Sequence, residues 1–294
     1  MIALIFSCTP QKEHQATVFK KINQETLANS RAYETLEEAT KTIGHRLTGS
    51  EEGAKAEEYT YNLLKSYGLN VAYQPFEVES WSRGTIDVKI GGRNNLADMP
   101  AVTLAHSPVK AEVTGEIVDM GNGLEADYAA KPRAVKGKIA LVYIGVLPGS
   151  PEGTQNLHRS EKTALAIQNG AKGIIIINQV DGGVLLTGTA SVTGSLISIP
   201  AVCIGKEDGM ALKETLAKNK QYSSIRMTNQ SGLINARNVI ATIEGSELPE
   251  EKIIVGGHLD SWDLATGAID NGIGSFAVLD MARTFAALDL KPKR

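Results

Sequence analysis

The sequence predicts an α/β protein with a separate α+β module set into it, and three observations carry that prediction. The run Gly173-Ile-Ile-Ile-Ile-Asn178 is apolar at four successive positions, the pattern of a strand buried on both faces. Around residue 100 the texture changes to short β-rich runs and glycine turns, which continue to about residue 232. After Gly232 it changes again, to apolar strands followed by one long apolar helix, which is α/β patterning.

Composition narrows the function classes. The chain has 294 residues, with 30 Lys+Arg against 33 Asp+Glu, a formal net charge of −3. That balance excludes a strongly basic nucleic-acid binder or a polybasic membrane binder. Apolar residues at 42% and charged residues at 21% are those of an ordinary folded protein. At roughly 100–200 residues per domain the length fits about two domains.

The elements follow in order. Met1-Ile-Ala-Leu-Ile-Phe-Ser-Cys8 is a short apolar run that stops at a cysteine and passes into a polar stretch. It looks like the tail of a bacterial lipoprotein signal with Cys8 as the lipidation site, although Phe6 is bulky and no basic residue precedes the run. Residues 34–67 read as two helices separated by Gly44-His-Arg-Leu-Thr-Gly-Ser50, with Ser50 as an N-cap ahead of Glu51 and Glu52. Residues 71–78, with Pro75, read as an edge strand, and Ile86, Val88 and Ile90 alternate as a second strand ended by Gly91-Gly92. Within the module, strands are expected over 115–119, 137–144, 173–178 and 199–204, and helices over 161–169 and 208–217. Beyond it, strands are expected at 238–243 and 252–255 and a helix at 273–288. The domains are therefore a signal-like remnant over 1–11, a first segment over 12–100, the module over 101–232 and a resumed first domain over 233–294.

Two cysteines without CxxC spacing give neither a zinc ribbon nor a disulfide framework. Cys203, inside an apolar stretch, reads as a buried structural thiol. Any metal must then be held by histidine and carboxylate. His106 and His158 have no second ligand at useful spacing, so neither reads as catalytic. The densest chemical signal is Gly256-Gly-His-Leu-Asp-Ser-Trp-Asp263 followed by Gly267-Ala-Ile-Asp-Asn-Gly272. His258 and Asp260 stand two apart at a strand end, so an extended backbone points both the same way. A carboxylate behind an imidazole fixes the tautomer that leaves the other nitrogen free for a metal. Asp270, at a glycine-flanked turn before a helix, can come back over the strand ends, where open α/β sheets gather ligands. Spacing alone fits two readings equally. One is a metal site with His258 and Asp270 as ligands; the other is a strand-end histidine with aspartates serving turns and a helix N-terminus. HExxH, GxGxxG, Walker A and GxSxG are all absent from the sequence.

These runs, together with Leu290-Lys-Pro-Lys-Arg294, resemble the M28 family of zinc aminopeptidase-like metallopeptidases, on its plasma glutamate carboxypeptidase (carboxypeptidase Q) branch. Gly44-His-Arg-Leu-Thr-Gly-Ser50, Gly68-Leu-Asn-Val71 and Gln74-Pro-Phe76 resemble that family's lead-in, and 101–232 its inserted protease-associated (PA) domain. The resemblance implies a three-layer α/β zinc-aminopeptidase-like (phosphorylase/hydrolase-like) domain, incomplete over these residues, interrupted by the PA module. It implies His258 as a ligand of one zinc, Asp270 as the carboxylate bridging two zincs, Asp260 as the catalytic-site residue that orients His258, and a cis peptide at Asp270-Asn271. It further implies a peptide substrate, cleavage of dipeptides or terminal residues, and a periplasmic or extracellular protein with a lipid anchor at its N-terminus; a homodimer stays open. The family's Glu-Glu pair and later ligands are expected beyond Arg294, so residues 1–294 alone are expected to be inactive. The competing class is a non-catalytic receptor ectodomain on the same scaffold.

Overall fold

The computed structural model describes residues 15–294, and Cys8 with its apolar run lies outside the described residues. The chain divides into two units, one built from residues up to 78 and from 234–294, the other from 79–233. Two long strands, β1 (Asn70–Gly92) and β8 (Tyr222–Thr242), run through both divisions. The two strands expected at 71–78 and 86–90 are thus one, and the unit boundary at 78/79 falls within it rather than near residue 100.

The 79–233 unit holds a mixed sheet. With β2 (Asn95–Asp98), β3 (Ala101–Thr103), β4 (Lys110–Asp119), β5 (Ile139–Tyr143), β6 (Gly173–Ile177) and β7 (Ala201–Ile204), the order is β2-β1-β8-β4-β5-β6-β7-β3. β4, β5, β6 and β7 are parallel neighbours, with Ile174 opposite both Ala140 and Ala201. Every residue of β5, β6 and β7 is buried. Alternation splits them between two cores: Ala140, Val142, Ile174 and Ile176 face one, and Ile139, Leu141, Ile175 and Ile177 the other. The first core also takes Tyr128 of α4 (Glu125–Ala130) and Ala166 of α5 (Arg159–Gln168), and the second Leu212 of α6 (Lys206–Leu216). Helices on both faces are why the strands read as continuous apolar runs. Cys203 sits in β7 with its thiol pushed up to about 11 by burial, the state of an uncharged core residue. His158 is the N-cap of α5, and its own N–H donates to Glu161 Oε2 at 2.7 Å.

The other unit contains α1 (Gln15–Asn29), α2 (Ala32–Thr42), α3 (Glu51–Ser66) and α7 (Ile273–Ala287). Leu36, Ala39, Leu64, Val71, Phe276 and Leu279 form one core. Burying each large apolar side chain is worth about 1.5–3 kcal/mol. Ser50 caps α3, its Oγ accepting from Gly53 N at 2.9 Å. Arg283 on α7 donates to Asp280 Oδ1 and to Glu25 Oε1 of α1, both at 2.7 Å. Burial works against the charge on Asp280, but the Arg31 N–H and the Arg283 guanidinium hold its carboxyl below the usual range.

One expected element is absent. Residues 252–255 form no strand; Ile253, Ile254 and Val255 are 69, 91 and 54% exposed. A buried strand needs neighbours on which to spend its N–H and C=O groups, and among the described residues none pairs with this run. The segment therefore leads into the His258 loop as irregular chain outside the sheet.

Candidate metal centre

The candidate site is built on two pieces of one unit: the loop that follows residue 255 and the turn that opens α7. At the loop's start a side chain on Gly257 would press on the Ser275 backbone and on Asn271, so glycine lets the backbone ahead of His258 lie against the N-terminal turn of α7. Asn271 Nδ2 then donates to the His258 carbonyl at 3.4 Å. This juxtaposes His258 with the turn Ala268–Gly272, in which Asp270 sits and whose Asp270-Asn271 peptide is cis, as the resemblance implied.

The three residues singled out from sequence meet. His258 Nδ1 lies 3.1 Å from Asp260 Oδ1 and 3.2 Å from the Asp260 carbonyl. On the other side of the ring, His258 Nε2 lies 3.2 Å from Asp270 Oδ1. Asp260 thus stands behind the imidazole and Asp270 in front of it. With the Nδ1 proton donated to Asp260, Nε2 turns its lone pair toward a carboxylate oxygen, and a proton or a metal cation has to sit between them.

The pair fits zinc as a partial ligand set. Donor atoms about 2.0–2.2 Å from a tetrahedral zinc lie roughly 3.3–3.6 Å from one another, slightly more than the 3.2 Å between Nε2 and Oδ1. Imidazole nitrogen and carboxylate oxygen are both ordinary zinc donors. Both side chains are exposed, at 55 and 76%, so a cation can reach them. The set is small: among the described residues no group of three His, Cys, Asp or Glu side chains converges on one point. The other described histidines lie elsewhere. His45 faces Glu52 at 3.9 Å, His106 Nδ1 contacts Thr189 Oγ1 at 2.8 Å, and His158 caps α5.

One residue beside the site carried no signal in its spacing. Arg46, in the link between α2 and α3, is buried and donates from its side chain to the carbonyls of Leu259, Thr266 and Gly267, at 2.6, 2.8 and 2.9 Å. Burial pulls its guanidinium below the ordinary value, and the Asp260 carboxylate pulls it back up. The sequence hint is its place in Gly44-His-Arg-Leu-Thr-Gly-Ser50, a run that resembles the family's lead-in without marking Arg46 itself.

Residues 113–212 match the model of the PA domain, and residues 238–294 match that of peptidase family M28. The chain thus resembles peptidase family M28, with a PA domain ahead of the matching segment. Its relatives agree in sequence and in fold. Carboxypeptidase Q of Bos taurus is 30% identical over 291 residues, covering 96% of this chain and 60% of the relative. The structure of a peptidase M28 precursor from Shewanella amazonensis superposes with a TM-score of 0.78 at 26% identity, over 95% of this chain and 65% of that one. A zinc aminopeptidase from Bacillus subtilis gives 0.64 at 25% identity, over 87% of this chain and 57% of its own. The chain therefore spans about three fifths of the length of these relatives.

Proposed function

We propose that this chain carries the first metal-ligand segment of a zinc-dependent exopeptidase that hydrolyses dipeptides or the terminal residues of peptides. The observation that carries the reading is the row Asp260–His258–Asp270, with the two outer carboxylates 3.1 and 3.2 Å from the two ring nitrogens. In it, His258 and Asp270 would hold zinc, Asp270 as the carboxylate shared in a two-zinc site, and Asp260 would keep the imidazole in the tautomer that presents Nε2. The match of residues 238–294 to peptidase family M28 supports peptides as the substrate class, and the zinc aminopeptidase among the structural relatives supports the metal and the exopeptidase mode.

Bound zinc supplies Lewis acidity and a nucleophilic water at neutral pH. What these residues do themselves is simpler. Asp260 accepts from Nδ1 and fixes the ring plane, so Nε2 needs no reorganisation on meeting a cation. Asp270 adds negative charge opposite that nitrogen, and both side chains stand open to solvent. Catalytic zinc takes three protein ligands in addition to its water, and these residues bring together two. The 294-residue polypeptide by itself is therefore expected to show no hydrolysis.

The test is elemental analysis and a dipeptide panel, run on the protein expressed from its complete gene. Stoichiometric zinc and cleavage that a chelator removes and zinc restores are expected. A metal-free protein that cleaves nothing in the panel sinks the proposal. The apolar run ahead of Cys8 supports a lipid-anchored protein of the periplasm or cell exterior. Membrane association that survives a Cys8→Ser change overturns that part alone.

A further inference from the structure

We infer that Arg46 is the positioning residue of the His258–Asp270 pair, holding the two ligand segments at the separation that one cation requires. The inference rests on the zinc reading above and adds to it a residue from a remote part of the chain.

The loop between the two ligands has little order of its own: residues 256–262 lie in neither helix nor strand, and 263–265 form only a turn. Its backbone is organised from outside. Arg46 Nε donates to the carbonyl of Leu259, the residue between His258 and Asp260. Nη1 and Nη2 donate to the carbonyls of Thr266 and Gly267, shortly before Asp270. The Arg46 backbone completes the clamp, its N–H donating to Ser261 Oγ at 2.9 Å and its carbonyl accepting from Ser261 N at 3.2 Å. The Gly267 carbonyl takes a second donor, Gly272 N at 2.9 Å, so the same oxygen ties the clamp to the turn that holds Asp270.

The side chain is suited to this task and to little else. Arg46 is 1% exposed, and the bonds of its guanidinium all go to backbone carbonyls, never to a carboxylate. A planar fork with donors in fixed directions can hold three carbonyls at once; an ammonium is a point charge and cannot reproduce that spread. Gly267 is the matching half of the joint. It adopts φ 65°, and a Cβ there would meet the Ser261 side chain and come within 2.9 Å of Arg46 Nη2. Loss of the fork frees Leu259 on one side and Gly267 on the other, and the Nε2–Oδ1 distance is no longer set by the fold.

The experiment titrates zinc into the 294-residue chain, followed through the His258 imidazole resonances, alongside amide exchange over 257–272. Arg46→Met and Arg46→Lys are both expected to weaken zinc binding by roughly 10–100-fold, the usual effect of removing a group that orients ligands. Exchange should speed up in 259–267 while α3 and α7 keep theirs, and free guanidinium ion should restore part of the affinity to Arg46→Ala. A merely structural arginine would change the melting temperature without this rescue. If Arg46→Met does not fold, the folded Arg46→Lys variant decides. Wild-type affinity in a folded Arg46 variant overturns this inference alone. A wild-type 294-residue chain that binds no zinc also overturns this inference, because the pair then holds no cation at the separation Arg46 sets; the zinc reading itself falls only with a metal-free protein from the complete gene.

Discussion

His258→Ala and Asp270→Ala are each expected to remove measurable zinc binding and, in the protein expressed from its complete gene, all zinc-dependent hydrolysis, while leaving the fold intact. Each deletes one of only two donor atoms that the loop and the turn bring within 3.2 Å of each other. Asp260→Asn is milder. It keeps the shape of the group behind His258 but weakens the acceptor that selects the tautomer, a change that typically costs about 10–100-fold in metal affinity. All three side chains are exposed, and exposed substitutions usually change stability by no more than about 0.5 kcal/mol. The check is a competition titration against a chromophoric chelator, with a thermal melt of each variant. The expected order of affinity is wild type, then Asp260→Asn, then the two ligand variants. An Asp270→Ala protein with wild-type affinity would remove Asp270 from the site, and equal affinities throughout would dissolve it.

The parts of the fold that could be read from sequence are those in which a local pattern had a single structural meaning. Four isoleucines in a row fit β6 because parallel strands with helices on both faces have no polar side to show. Ser50 ahead of two glutamates marked the start of α3, since a cap is a matter of a few adjacent atoms. Residues 252–255 misled because an apolar run says that a segment can be buried and not that a neighbour is there to bury it; Ile254 is 91% exposed. Helix α1 escaped notice for the opposite reason, having no buried residue and so no apolar stripe. The site divides in the same way. His258 and Asp260 are two residues apart and Asp270 lies ten further on, so their meeting needs one loop. The clamp from Arg46 crosses more than two hundred positions of sequence, and only the fold brings it there.

Lys162→Met is expected to have the largest effect on the stability of the PA-containing unit. Lys162, on α5, is fully buried, and its ammonium donates to the carbonyls of Tyr143, Ile144 and Gly145 at 2.7, 3.1 and 2.8 Å. These carbonyls lie where β5 ends and its ladder stops supplying donors. Ile144 O retains a bond from Asn156 Nδ2, but the other two lose their lysine donor. An unsatisfied buried acceptor costs about 1–3 kcal/mol, so a net loss of roughly 2–4 kcal/mol follows once relief from burying a charge is allowed for. For a unit of this size that is roughly 5–15 °C in melting temperature. The pH dependence separates the charge from the packing. Burial draws the Lys162 ammonium down to about 8 from an ordinary 10.5. Between those values the unfolded chain binds the proton that the folded chain has lost, so the contribution of Lys162 to stability rises with pH and is flat below about 8. The melting temperature of the wild type minus that of Lys162→Met should therefore grow from pH 7.5 to 9.5, measured by calorimetry on the full chain. A constant difference would mean that the lysine acts through its volume, and no difference would mean that water takes over its three bonds.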